Sequence, residues 1–220
     1  VLEDQNQIIS LIKERHPNKT IICFGHSLGS IINLNFALKY PNQVNALACW
    51  NLGIETGLLP RTSRIILALE TLFRNPNTTS LIAWKLTFGA WNSKFKPNRT
   101  KFDWLSKDEK EVDLYVDDPL CGFDVSISMW RDILDGVFFA GNKNNLKNLS
   151  SELPVHIIGG AKDPCTNYGR DMEKLAIKLR NSGLTDVTCK ILENTRHESL
   201  NEINRDQTTA SFIEWLQERF

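Results

Sequence analysis

Ser27 stands between Gly25 and Gly29 in the run Thr20 to Ile32, TIICFGHSLGSII, where an apolar stretch breaks on Gly-His-Ser-Leu-Gly and turns apolar again. A serine hydroxyl becomes a useful nucleophile only when a base takes its proton and donors stabilise the oxyanion that forms. A G-x-S-x-G turn between a strand and a helix supplies the geometry: it holds the serine in a strained, exposed position, and Gly25 and Gly29 are expected to let strand and helix approach closely. The Leu28 amide, at the start of the following helix, is then one oxyanion donor. The bland reading of the same residues is a glycine turn carrying a solvated serine, and the apolar strand before it and apolar helix after it favour the nucleophile.

An acid and a base are expected after later strands. Asp163 follows PVHIIGGAK, where its carboxylate would fix the tautomer of a histidine and stabilise its imidazolium, the alternative being a turn aspartate before Pro164. His197 follows DVTCKILENTR and is the candidate general base toward Ser27. The other histidines fit less well: His26 is inside the turn, beside the nucleophile rather than poised as base; His16 precedes a proline on the far side of a strand; His156 is inside a strand, as a core or face residue.

The elements that must position these groups read as follows. QIISLIKER, Gln7 to Arg15, has helical spacing and stops before Pro17. Thr20 to Gly25 is a buried strand, Leu28 to Leu38 a helix, and Val44 to Trp50 a second buried strand, which together make a βαβ unit and imply a parallel sheet. From Asn51 to Ser151 the chain is helical and aromatic, broken at Asn75-Pro76, Lys96-Pro97 and Asp118-Pro119. Strand character returns at Pro154 to Gly159, followed by a helix near Gly169 to Arg180, the strand DVTCKIL, and a last helix ending at Phe220 with Thr209, Phe212, Ile213, Leu216 and Phe220 on one face. The expected domains are a discontinuous α/β core of 1–50 and 152–220 and a helical insertion of 51–151.

Composition narrows the partners. With 26 Lys+Arg against 26 Asp+Glu there is no charge surplus to attract nucleic acid or an anionic membrane surface. No run reaches the roughly 18 apolar residues of a membrane span. Five cysteines, three of them in strand-like runs, read as free thiols in a reducing compartment, which makes the cytoplasm the expected location. No Cys or His spacing suggests a metal, the chemistry needs no cofactor, and the Asn-x-Ser/Thr matches at Asn18, Asn77, Asn98 and Asn148 read as chance in an Asn-rich chain.

On GHSLGS (Gly25 to Ser30), DDPLCGF (Asp117 to Phe123), GGAKDP (Gly159 to Pro164) and RHESLNE (Arg196 to Glu202), the chain resembles the α/β-hydrolase superfamily, in its lysophospholipase and monoacylglycerol-lipase-like, or serine aminopeptidase-like, branch. The resemblance implies a three-layer α/β sandwich with a mostly parallel sheet, and a nucleophile, acid and base at Ser27, Asp163 and His197. It makes 51–151 a lid, in which Trp84, Phe88, Trp91, Phe102, Trp104, Trp130, Phe138 and Phe139 are candidates to line an acyl pocket; simple packing of the lid helices is the alternative. It implies cleavage of a carboxylic ester such as a monoacylglycerol or lysophospholipid. An amide or peptide hydrolase with the same groups, or a non-catalytic binding member of the fold, stays open. Members of this branch carry further N-terminal strands and an early His-Gly loop that supplies the second oxyanion donor. Nothing similar precedes Thr20, so this chain is expected to be a truncated form lacking those strands and that donor.

Overall fold

The computed structural model describes residues 1–220. The helix α1 (Leu2–Arg15) leads into β1 (Ile22–His26), α2 (Leu28–Lys39) and β2 (Ala46–Trp50). Six helices follow: α3 (Leu58–Phe73), α4 (Leu81–Trp84), α5 (Ala90–Asn92), α6 (Glu109–Asp117), α7 (Ile127–Ala140) and α8 (Lys143–Leu146). A π-turn, Lys85–Gly89, joins α4 to α5. The chain then returns through β3 (Val155–Gly160), α9 (Arg170–Asn181), β4 (Val187–Leu192) and α10 (Arg205–Gln217). No helix is long and apolar enough to cross a membrane.

The four strands form one parallel sheet in the order β1-β2-β3-β4. Strands β2 and β3 are buried throughout, as their unbroken apolar runs require; the outer strands β1 and β4 are only partly covered. On one face Leu47, Cys49, Val155 and Ile157 pack with Leu34 and Phe36 of α2, Ile9 of α1 and Leu175 and Leu179 of α9. On the other, Ala48, Trp50 and Ile158 pack with Leu192 of β4 and Phe212 of α10. Helices therefore cover both faces, giving three layers. In a parallel sheet all four strands end at the same edge, and register places His26 beside Trp50 and Trp50 beside Ile158 there.

Between β2 and β3 the chain is helical, apart from one isolated bridge between Thr79 and Ser126. Its helix starts follow from the sequence: Ser80, Asp108, Ser126 and Asn142 each accept a hydrogen bond from a backbone N–H of the first turn they precede. The boundaries differ modestly from expectation, with β1 running on to His26 and β2 starting at Ala46.

The face expected for α10 is different. Thr208 and Trp215 are buried with Phe212 half-buried, whereas Thr209, Ile213 and Phe220 are exposed. Trp215 sets the rotation, because its indole Nε1 donates to Thr188 Oγ1 of β4 at 2.9 Å and its ring stacks on Phe212. All five cysteines are free thiols; Cys49 alone is fully buried, and burial pushes its thiol up to about 12.

Candidate active site

The strand ends meet at one place. Ser27 follows β1 directly and begins α2 in a left-handed conformation, φ 52° and ψ −119°. A non-glycine residue at such an angle is held there by its surroundings. The Ser27 N–H donates to Trp50 O (2.9 Å), and its carbonyl accepts from Ser30 N (3.0 Å) and Ile31 N (3.3 Å). Gly25 permits the turn, because a Cβ there would meet Ser30 N at 2.7 Å and overlap the Gly29 carbonyl. A Cβ at Gly29 would meet nothing within 4 Å, so the second glycine is not needed for space. Ser30, whose role no local pattern announces, is buried: its Oγ donates to Gly25 O at 2.5 Å and accepts from Trp50 N at 2.8 Å, tying strand to helix.

His197 comes from the loop after β4. Its Nε2 lies 2.9 Å from Ser27 Oγ and its Nδ1 lies 2.9 Å from Asp163 Oδ2. The structure thus brings Ser27, His197 and Asp163, expected from sequence to act together, into one hydrogen-bonded chain. Asp163 and His197 are both buried. Burial works against the Asp163 carboxylate, but the His197 charge and hydrogen bond, Asn51 and the Cys165 N–H together hold it below the ordinary carboxylate range. For His197 burial likewise opposes the charged form; the Asp163 carboxylate, its hydrogen bond and the charge of Glu198 overcome it and raise the imidazole above its ordinary 6.5.

Residues not singled out from sequence complete the support. Asn51, the first residue after β2, is fully buried at φ 51°; its Nδ2 donates to Asp163 Oδ2 (3.1 Å) and its Oδ1 accepts from Ser199 Oγ (2.6 Å). The available signal was an Asn, a type tolerant of that conformation, at a strand end. The other carboxylate oxygen of Asp163 accepts from Cys165 N at 2.9 Å. Gly160 lets the end of β3 lie against the Thr195–Arg196 backbone, since a Cβ there would fall 2.9 Å from the Thr195 carbonyl carbon. Buried Glu202 accepts from Arg196 N (2.9 Å), Lys107 N (2.9 Å) and Ser106 Oγ (3.2 Å), which fastens the histidine loop to 103–107. The Arg196 guanidinium adds bonds to the Ser106 and Asp103 carbonyls.

The aromatic candidates separate into groups. Trp104 lies against the His197 ring, centroids 4.7 Å apart, and connects it to Phe88 and Trp91; Phe88 also packs on Trp130. Trp84 covers Gly89, Phe102 packs on Tyr115, and Phe138 lies under the Arg64 guanidinium. Only Phe139 of the eight lines the groove of about 660 Å³ between α2 and α7, whose other apolar walls include Leu28, Ile31, Met129 and Ile133. Leu28, the residue that follows Ser27 in the chain, is among its lining, whereas Ser27, His197 and Asp163 are not. His16 is exposed, and His156 is buried with Nδ1 accepting from Trp50 Nε1 at 3.0 Å.

Asp163, Cys165 and His197 also offer three potential ligand atoms within 4.8 Å of one another. Both ring nitrogens of His197 are already engaged, Nδ1 with Asp163 and Nε2 with Ser27, and the Asp163 carboxylate also accepts from Asn51 and the Cys165 N–H. The set therefore fits a hydrogen-bonded acid and base with a neighbouring thiol better than a metal centre.

Residues 1–204 match the family model described as serine aminopeptidase, S33. No curated protein matches the chain. Among solved structures, a thermostable carboxyl esterase from Bacillus coagulans in complex with glycerol shares 21% identity at a TM-score of 0.87, over 99% of this chain and 70% of that one. A monoacylglycerol lipase from Paleococcus ferrophilus shares 20% at 0.69, over 98% and 74%. A soluble variant of the monoglyceride lipase of Saccharomyces cerevisiae, bound to a substrate analog, shares 17% at 0.71, over 99% and 67%. At these identities the likeness is one of fold.

Proposed function

The chain belongs to the serine aminopeptidase S33 family, of the α/β-hydrolase superfamily, and from that premise we propose that it is a serine hydrolase cleaving carboxylic esters of monoacylglycerol or lysophospholipid type. The observation that carries the reading is the unbroken chain from Ser27 Oγ through the His197 imidazole to the Asp163 carboxylate, set at a strained strand-to-helix turn. Ser27 Oγ attacks the ester carbonyl carbon while its proton passes to His197 Nε2. The carbonyl oxygen becomes the oxyanion and meets the N–H of Leu28, which as a first-turn residue of α2 has no partner within the helix. Collapse breaks the ester bond, the proton on His197 goes to the leaving alkoxide, and an acyl-serine remains. Water then repeats the sequence in reverse roles, releasing the acid and restoring Ser27. Asp163 keeps its charge throughout and holds Nδ1–H toward itself, so that Nε2 faces the serine.

The lipid preference rests on the groove beside Leu28, whose volume suits an acyl chain, and on what the Paleococcus and Saccharomyces neighbours are named for. In this reading 51–151 is a lid over a core of 1–50 and 152–220, with the cluster of Phe88, Trp91, Trp104 and Trp130 packing the lid onto the histidine. Purified protein assayed on monoacylglycerols, lysophospholipids, short p-nitrophenyl esters and aminoacyl anilides tests it. Turnover of the long-chain esters above the anilides is expected; turnover of the anilides alone would replace the ester reading by a peptidase one.

A further inference from the structure

His26 ends β1, one residue before Ser27, and its side chain does not face the nucleophile alone. Its Nε2 lies 2.8 Å from the backbone carbonyl oxygen of His197, across 171 residues of chain. A carbonyl only accepts, so Nε2 carries the proton. The ring stands edge-on to the His197 ring with centroids 4.9 Å apart at 63°, and Glu198 Oε1 lies 3.8 Å from Nδ1 on the other side. Burial keeps His26 below its ordinary pKa against the pull of Glu198, which leaves a neutral ring with one N–H to give.

The bonds that fix the histidine loop run to several places. Glu198 N donates to Leu105 O (2.7 Å), Arg196 N to Glu202 (2.9 Å), and Ser199 Oγ to Asn51 (2.6 Å). These tie the loop to 103–107, to itself and to the end of β2. Apart from the Ser27–His197 contact, the bond from His26 is the one that runs to the element carrying the serine. Asp163 holds the ring itself through Nδ1, and the bond from His26 is the tie that fixes the backbone of His197 against the element carrying Ser27.

Resting on the hydrolase reading above, we propose that His26 is a positioning residue: its Nε2–H, by holding the His197 carbonyl, sets the distance and aim of the His197 imidazole toward Ser27. A misplaced catalytic group costs on the order of 10²-fold in rate, so the effect is large enough to measure.

Three variants separate the donor from the ring. In His26→Gln the longer amide keeps an N–H within reach of the carbonyl; in His26→Asn the amide is too short; in His26→Phe an aromatic ring stays against His197 and the donor is gone. Two readouts are taken, each after circular dichroism has established the fold. One is the downfield imidazole N–H proton resonance of His197 in its bond to Asp163, which needs no turnover. The other is kcat and KM on an ester substrate. His26→Gln is expected to keep the resonance and most of kcat, while His26→Asn and His26→Phe shift or lose the resonance and drop kcat by about 10²-fold at little-changed KM. If His26→Phe does not fold, the Gln and Asn pair decides. The proposal is overturned if Asn retains the resonance and kcat, or if Gln loses as much as Asn. A wild type that hydrolyses no ester, yet loses the resonance in Asn and keeps it in Gln, would sink the hydrolase reading while leaving the positioning role standing.

Discussion

Asp163 and His197 show how burial and pairing divide labour between two titratable side chains. The carboxylate is held low against its burial by the imidazole, Asn51 and the Cys165 N–H, and the imidazole is raised by the carboxylate. A general base works only when unprotonated. Because the folded pKa of His197 lies above 6.5, the acid limb of kcat/KM is expected above pH 6.5, with activity falling as pH drops through it. Asp163→Asn removes the charge that raises it and presents an amide in place of an acceptor-only group. Turnover is expected to fall about 10⁴-fold, with the acid limb moving to lower pH; a pH-rate profile of the variant checks both. An unmoved limb would mean that another group controls it.

At the scale of elements, the turn after β1 gives the sharpest contrast. Gly25→Ala forces a methyl into the Gly29 carbonyl and Ser30 N and is expected to destabilise by about 1–3 kcal/mol. Gly29→Ala meets open space inside α2 and is expected to be neutral or to stabilise by up to about 1 kcal/mol. Urea denaturation of both variants reads the difference. The grouping of Ser27, Asp163 and His197 at one sheet edge was legible in the sequence because each follows an apolar strand in a short loop, a local pattern. So were the parallel strands and the helical stretch between β2 and β3. Asn51, Ser30 and Glu202 were not, because what distinguishes them is a partner 20 to more than 90 residues away. The face of α10 is not legible for a related reason: Thr209, Ile213 and Phe220 share a stripe by spacing, but Trp215 decides the rotation through its bond to Thr188 in another element.

For the whole molecule, His156 joins the sheet to α10 in a buried aromatic group with Trp50, Phe212 and Trp215. Burial, reinforced by Arg219 and Lys190, lowers its pKa from 6.5 to about 4. The unfolded chain therefore takes up a proton at this site before the folded one does, and folding stability is lost as pH falls from about 6.5 to about 4. In His156→Gln that part of the decline should disappear, as measured by Tm across that window; an unchanged slope would assign the decline to other groups. Both faces of the sheet, and the strand ends between them, exist in this account to hold one hydroxyl against one imidazole. The most direct measurement is reaction of the folded protein with a fluorophosphonate probe, beside Ser27→Ala and His197→Ala, with the adduct located by peptide mass. The account predicts a single adduct on Ser27 that is absent from Ser27→Ala and strongly reduced in His197→Ala. A folded wild type that takes no adduct, or takes it on another residue, would contradict it.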